Sequence, residues 1–144
     1  MKLLARIIGR HKLLIYPFYT VVIKHINPHQ KLVPEILAMI AESIHDLIPP
    51  DEIHPIIEKV IDQYVSEQVD NQVITIAINA IWEICLRQPA GITEAQLHHI
   101  VNFWLYKDKS VAMATKSLVN LFRDINPALL ESKDRGKMET LEMK

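Results

Sequence analysis

Apolar residues along this chain recur at three-and-four spacing, the mark of helices with one buried face, and no stretch alternates with period two for long enough to make a strand. Residues 1–9 read as the last turns of a helix, with Leu3, Leu4, Ile7 and Ile8 apolar. A second helix is predicted over residues 11–26, with Leu14, Ile15, Phe18, Val22 and Ile26 roughly on one stripe. Pro17 requires that helix to start late or to kink, because proline removes a backbone donor and clashes with the preceding turn. Asn27-Pro28 then reads as an N-cap followed by proline at the first helical position. The helix it opens is expected to reach about Leu47, with Val33, Ile36, Leu37, Ile40, Ala41 and Ile44 on one face and Pro34 early enough to be harmless.

Pro49-Pro50 is a break, after which Asp51 is expected to cap a helix with Ile53, Ile56, Ile57, Val60, Ile61 and Tyr64 in one stripe. Residues 70–86 are apolar nearly all round, which predicts the most enclosed helix, with Val73, Ile76, Ala77, Ala80, Ile81 and Ile84 inward. Past Gly91, Thr93 and Gln96 form a capping box, and Ile92 and Leu97 are placed as a hydrophobic staple. Leu97, Ile100, Val101, Trp104 and Leu105 follow at helical spacing. Asp108 caps a last helix with Val111, Ala114, Leu118, Leu121, Phe122 and Ile125 inward, and Lys109, Lys116, Asn120 and Arg123 facing the other way. Beyond Pro127 the pattern fades. A helical domain over residues 1–127 and a charged, partly disordered tail over 128–144 are therefore expected.

The plan repeats. Residues 108–127 and 70–89 each open on Asp, place Val fourth, run apolar at helical spacing and stop at proline. A looser copy has Val33, Leu37, Ala41, Ile44 and Pro49 forty residues ahead of Val73, Ala77, Ile81, Ile84 and Pro89, and Gly9 stands forty residues ahead of Pro49. A helical period near forty is that of stacked helix hairpins of the HEAT or armadillo kind. The expected fold is all-α, an α-solenoid of about three antiparallel hairpins behind a leading half-repeat.

Composition agrees with a packed domain: 144 residues, 49% apolar, with three glycines that leave no phosphate-cradling loop. The net charge of −1 hides segregation. Residues 1–34 carry six bases and no acid, residues 35–101 eleven acids against two bases, and residues 102–144 eight bases against six acids. Such asymmetry sets docking orientation and encounter rate rather than fold. The acid-free start is not read as a presequence, and the apolar run over residues 13–23 is too short to span a bilayer. Cytosol or nucleus is the expectation.

The residues offer chemistry little to work with. Cys85 lies within an apolar helix and reads as a core residue rather than a nucleophile. His98 and His99 diverge on a helix, while His11, His25 and His29 read as surface histidines before ligands; no metal or cofactor is expected. Acid pairs such as Asp51/Glu52 and Glu131/Asp134 are helix-start or tail charges before they are general acids. No motif sets a nucleophile beside a base, so no enzyme is expected. Trp82 points away from the inward face, either packed on a neighbouring hairpin or exposed as an anchor for a partner. Two basic sets remain as candidate RNA or protein contacts. Arg6, Arg10, Lys12, Lys24 and Lys31 stand at one end, with His29 nearby, and Lys107, Lys109, Lys116, Arg123, Lys133, Arg135 and Lys137 at the other.

Seven runs occur in a telling order: Gly9-x-His11, Pro28-His29-Gln30, Leu47-Ile48-Pro49-Pro50, Ile78-Asn79-Ala80-Ile81-x-Glu83-Ile84, Lys107-Asp108-Lys109-x-Val111, Leu121-Phe122-Arg123-x-Ile125-Asn126-Pro127 and Lys133-Asp134-Arg135-Gly136-Lys137. In order and spacing the chain resembles the Severe Depolymerization of Actin family, over essentially its whole length. The resemblance implies a nuclear and nucleolar helical-repeat factor for assembly of the large ribosomal subunit. Such a factor would join pre-60S particles, contact other assembly factors, ribosomal proteins and rRNA, and support export of the subunit; actin organisation is a further, indirect association. It implies the C-terminal portion of the family's repeat region, since family members are several times longer, with repeats before this stretch and acidic, then lysine-rich, segments after it. Trp82 stands where the family leads one to expect a basic residue. The expectation is thus a non-enzymatic scaffold docking on pre-60S particles, with a helical-repeat adaptor in nuclear transport or vesicle trafficking as the alternative.

Overall fold

The computed structural model describes residues 2–12, 16–26 and 31–126. Among them lie seven α-helices: α1 (Lys2–His11), α2 (Tyr16–His25), α3 (Val33–Ser43), α4 (Pro50–Tyr64), α5 (Asn71–Arg87), α6 (Glu94–Val101) and α7 (Lys109–Ile125). A 3-10 turn, Pro89–Gly91, joins α5 to α6, and no strand occurs among the described residues.

The helices pack by a rule that the chain repeats. α1 lies on α3, α3 on α5 and α5 on α7, while α2 lies on α4 and α4 on α6. Within each hairpin, α2 packs on α3, α4 on α5 and α6 on α7. Two parallel layers result, with a continuous core between them running from Ala5 and Ile8 to Leu118 and Phe122. This is the expected all-α solenoid: a lone leading helix and three antiparallel hairpins.

Local sequence explains most of the element ends. Thr93 and Gln96 close the capping box in both directions, Gln96 N–H to Thr93 Oγ1 at 3.2 Å and Thr93 N–H to Gln96 Oε1 at 3.0 Å. Ile92 and Leu97 are both buried, as a staple requires. The Asp108 carboxylate accepts from the N–H groups of Ser110 and Val111, two of the donors that a helix start leaves without partners. Asp70 also occupies an N-cap position, but its side chain makes no capping bond. Pro17 falls in the first turn of a helix that starts at Tyr16, so its missing donor costs nothing. α5 packs on α3, α4 and α7 and buries Ala77, Ala80, Ile81 and Ile84 as expected. Ile74, Ile78 and Cys85 are buried with them, whereas Val73 and Ile76, expected inward, are only partly buried: a helix apolar nearly all round does not mark its inner face.

Several expectations need correction. α3 begins at Val33, not Pro28, because residues 31–32 form a turn, and it ends at Ser43 rather than near Leu47. Ile44 and Ile48 are buried from the irregular segment that follows, so apolar spacing continued past the point where helix stopped. Asn27-Pro28 lies outside the described residues. Asp51 is not the cap of α4; Pro49 holds that position, and Asp51 and Glu52 sit in the first turn, where their charge faces the positive helix end. α6 stops at Val101, which buries Phe103 from the following turn and leaves Leu105 83% exposed. In α1, Leu3, Leu4 and Ile7 are exposed and only Ala5 and Ile8 are buried. Ile125, at the last position of α7, is also exposed. No described helix is long and apolar enough to cross a membrane.

Candidate interaction surface

The C-terminal ends of α1, α3 and α5 meet around a cleft of about 410 Å³ lined by Arg6, Gly9, Arg10, Lys12, Glu42, Ile44, His45, Asp46 and Arg87. Gly9 makes the meeting possible. A Cβ at that position would lie 1.8 Å from the carbonyl oxygen of Glu42, so the backbones of α1 and α3 touch where any side chain would hold them apart. The close approach brings Arg6 Nε within 3.2 Å of Glu42 Oε1, and Lys12 Nζ within 2.9 Å of Asp46 Oδ1. Lys12 terminates α1 in the left-handed region, with φ of 53°, the conformation that ends many helices. Its ammonium hydrogen-bonds Asp46 and holds that exposed carboxyl below the usual carboxylate range.

Arg87 was not among the residues singled out from sequence, yet it completes the cleft. Its guanidinium donates to the carbonyl of Ala41 in the last turn of α3, which has no basic residue of its own there. A cation at that end satisfies a carbonyl left over by the helix and opposes its negative pole. Gln88 beside it donates to the carbonyls of Asp46 and Ile48 at 2.8 and 2.9 Å, tying α5 to the irregular segment after α3. The side chain of His45 is buried, and its Nδ1 accepts from Leu47 N–H at 3.2 Å.

The remaining candidates do not join this cleft. Lys24 lies in the last turn of α2 and Lys31 precedes α3; both are exposed. His29, Lys133, Arg135 and Lys137 lie outside the described residues. Lys107 and Lys109 are exposed at the start of α7. Lys116 places its ammonium 5.7 Å from the centre of the Trp104 ring, a cation–π contact, and Arg123 Nη1 donates to Asn120 Oδ1 at 3.1 Å. Three bases of the first set are therefore gathered at one cleft, whereas the described members of the second set, Lys107, Lys109, Lys116 and Arg123, are strung out just before and along α7. Trp82 is half-buried and packs against the core, the structural one of its two readings.

Other polar groups fasten the layers. Gln96 Nε2 donates to His54 O at 3.1 Å and to Glu58 Oε2 at 2.9 Å, joining α6 to α4. His54 Nε2 lies 3.1 Å from Ala90 O, and His99 Nε2 lies 3.2 Å from Val65 O. Tyr19 donates its hydroxyl to Ser43 O at 3.1 Å, and burial pushes that phenol up to about 12. Burial likewise pushes the Cys85 thiol up to about 12, so it stays a protonated core group at neutral pH. Among the described residues no three His, Cys, Asp or Glu side chains are grouped to hold a metal.

A family described as "SDA1, HEAT repeat" matches residues 1–109. The chain belongs to the SDA1 family. "Protein sda1" of Schizosaccharomyces pombe is 40% identical over 144 residues, all of this chain and 20% of that protein. "Protein SDA1 homolog" of Nematostella vectensis is 37% identical over 137 residues, 95% of this chain and 20% of that protein. "Protein SDA1" of Chaetomium thermophilum is 38% identical over 141 residues, 98% of this chain and 18% of that protein. The chain thus spans about a fifth of the length of these SDA1 relatives. It matches their N-terminal part; the matches carry that coarse position, not the finer one expected at the C-terminal end of the SDA1 repeats. The HEAT description agrees with the second-neighbour packing of the helices.

Proposed function

We propose that this chain is a non-enzymatic scaffold of ribosome biogenesis, a segment that docks on pre-60S particles in the nucleus and nucleolus and supports large-subunit maturation and export. The observation that carries the reading is the match to SDA1 proteins along the whole chain. The fold supports it by offering extended surface: helices stacked in two layers, with cations gathered at the α1–α3–α5 cleft and along α7. Arg10, Lys107 and Lys109 are exposed and suit phosphate or an acidic partner surface. The half-buried Trp82 packs against the core.

The test is co-sedimentation of the chain with pre-60S particles on sucrose gradients at increasing salt. Association is expected to weaken steeply with salt, because neutralised phosphates release counterions. Reversing Lys107, Lys109, Arg135 and Lys137 together should release the chain from the particle; unchanged co-sedimentation would remove those residues from the interface. Recovery of transport receptors or coat proteins in place of pre-60S proteins and rRNA would favour the adaptor reading.

A further inference from the structure

A second groove, of about 380 Å³, lies between α4 and α6 in the other layer. Ile61 and Val65, both buried, form its floor with Ala95 of α6 beside them, and Glu58 and Asp62 stand exposed at its edge. Both walls of this groove belong to the described chain. A further repeat would stack on the end of a layer, so it would leave the groove open. The volume is that of clefts that hold ligands, and the lining combines apolar surface with a few charged groups, as such clefts do.

Two independent features make the groove negative. Glu58 and Asp62 lie one turn apart on α4, where like charges repel, and neither is paired with a cation among the described residues. Each accepts an amide bond, Glu58 from Gln96 at 2.9 Å and Asp62 from Gln63 at 2.8 Å, which orients the carboxylate but cancels no charge. No Lys or Arg lines the groove; Lys59, the one lysine of α4, is turned away from it. The second feature is the negative pole of α4, whose last residues and C-cap line the groove. Of the seven described helices only α3 and α4 have no basic residue in the last turn. α3 takes its cation from another helix, since Arg87 donates to Ala41 O, whereas at α4 the C-cap carbonyl of Val65 receives the ring N–H of His99. We propose that the groove docks a basic segment of a partner protein. One lysine or arginine lays its aliphatic stem along Ile61, Val65 and Ala95 and sets its cation between Glu58 and Asp62. That cation serves α4 as Arg87 serves α3. Phosphate would meet two like charges here, so the occupant is protein rather than RNA, whatever particle the chain serves.

The test uses the intact chain, a fluorescein-labelled octapeptide of alternating lysine and glycine, and the same peptide with every lysine acetylated, which keeps the stems and removes the charge. In fluorescence anisotropy the lysine peptide should bind about tenfold more tightly than its acetylated twin. Glu58→Gln combined with Asp62→Asn should erase that preference. Glu35→Gln combined with Glu83→Gln makes the same change of charge at exposed acids elsewhere and should leave the preference within about twofold. Backbone amide shifts during titration should gather over residues 58–66 and 95–99. Should the Glu58 and Asp62 double variant melt lower than the native chain, the shift map of the native chain decides alone. Absence of a preference for the lysine peptide, equal losses in the two double variants, or shifts gathered elsewhere would overturn the proposal. So would a single-stranded oligouridine that moves the same amides, since the groove would then accept RNA.

Discussion

Gly9→Ala sets two effects of known size against each other. Alanine is the better helix former by about 1 kcal/mol, so if α1 were an independent helix the substitution would stabilise it. In the array the added Cβ falls 1.8 Å from the Glu42 carbonyl oxygen, a backbone atom that no rotamer change can move. Restoring ordinary contact requires α1 to move off α3 by roughly 1.6 Å. Ala5 and Ile8, both fully buried, lie at this contact and would be unseated together with the Arg6–Glu42 and Lys12–Asp46 pairs. Keeping the contact would overpack it at about 1–3 kcal/mol, while releasing it would lose the burial of an isoleucine at about 1.5–3 kcal/mol; by either route, against the propensity gain of about 1 kcal/mol, packing should win by up to about 2 kcal/mol net. The loss should be local. Hydrogen exchange should accelerate over residues 2–11 while residues 74–85 keep their protection, and chemical denaturation should show the modest net loss. A Gly9→Ala protein that melts higher, with α1 better protected, would show that helix propensity outweighs the α1–α3 contact and that this contact is looser than described.

Two further outcomes follow from the caps and the charges. Asp108→Ala should cost about 1 kcal/mol in urea denaturation, the usual worth of a bonded N-cap, whereas Asp70→Ala should cost clearly less because Asp70 bonds no helix N–H; equal losses would contradict the distinction. Asp46 titrates below the ordinary carboxylate range because Lys12 holds its charged form, so this contact favours the folded state above the unfolded carboxyl's pKa and fades as pH falls through the lowered one. In Lys12→Ala the Asp46 carboxyl resonance should titrate at higher pH, and an unmoved midpoint would show that Lys12 is not the cause.

What the sequence made legible was whatever is decided within one turn of helix. The Thr93–Gln96 box and the Asp108 cap join residues two or three apart, so their pattern is visible along the chain and their bonds are where it placed them. The inward positions of α4, Ile53, Ile56, Ile57, Val60, Ile61 and Tyr64, are all buried for the same reason. Helix ends without a capping side chain were less legible. Ile44 and Ile48 are core residues outside any helix, and Leu105 keeps helical spacing beyond the helix it was assigned to, because hydrophobic period reports burial and only indirectly reports helix. Charge segregation did point to Arg6, Arg10 and Lys12 as a set. It did not reveal that two of them are paired across the layer, nor that Arg87, isolated in an acidic stretch, completes the same cleft.

Yet the missed contacts share a signal of their own. Arg6 meets Glu42 across 36 residues, Gln88 meets Ile48 across 40, Gln96 meets Glu58 across 38 and His54 meets Ala90 across 36. Those separations lie close to the repeat period read from the apolar pattern. In a stack of hairpins each residue lies beside its counterpart one repeat away, so the period of burial must also be the period of polar contact. Residues of complementary charge or hydrogen-bonding capacity one period apart are therefore candidates for bonds between neighbouring hairpins, and Lys12 with Asp46 belongs among them.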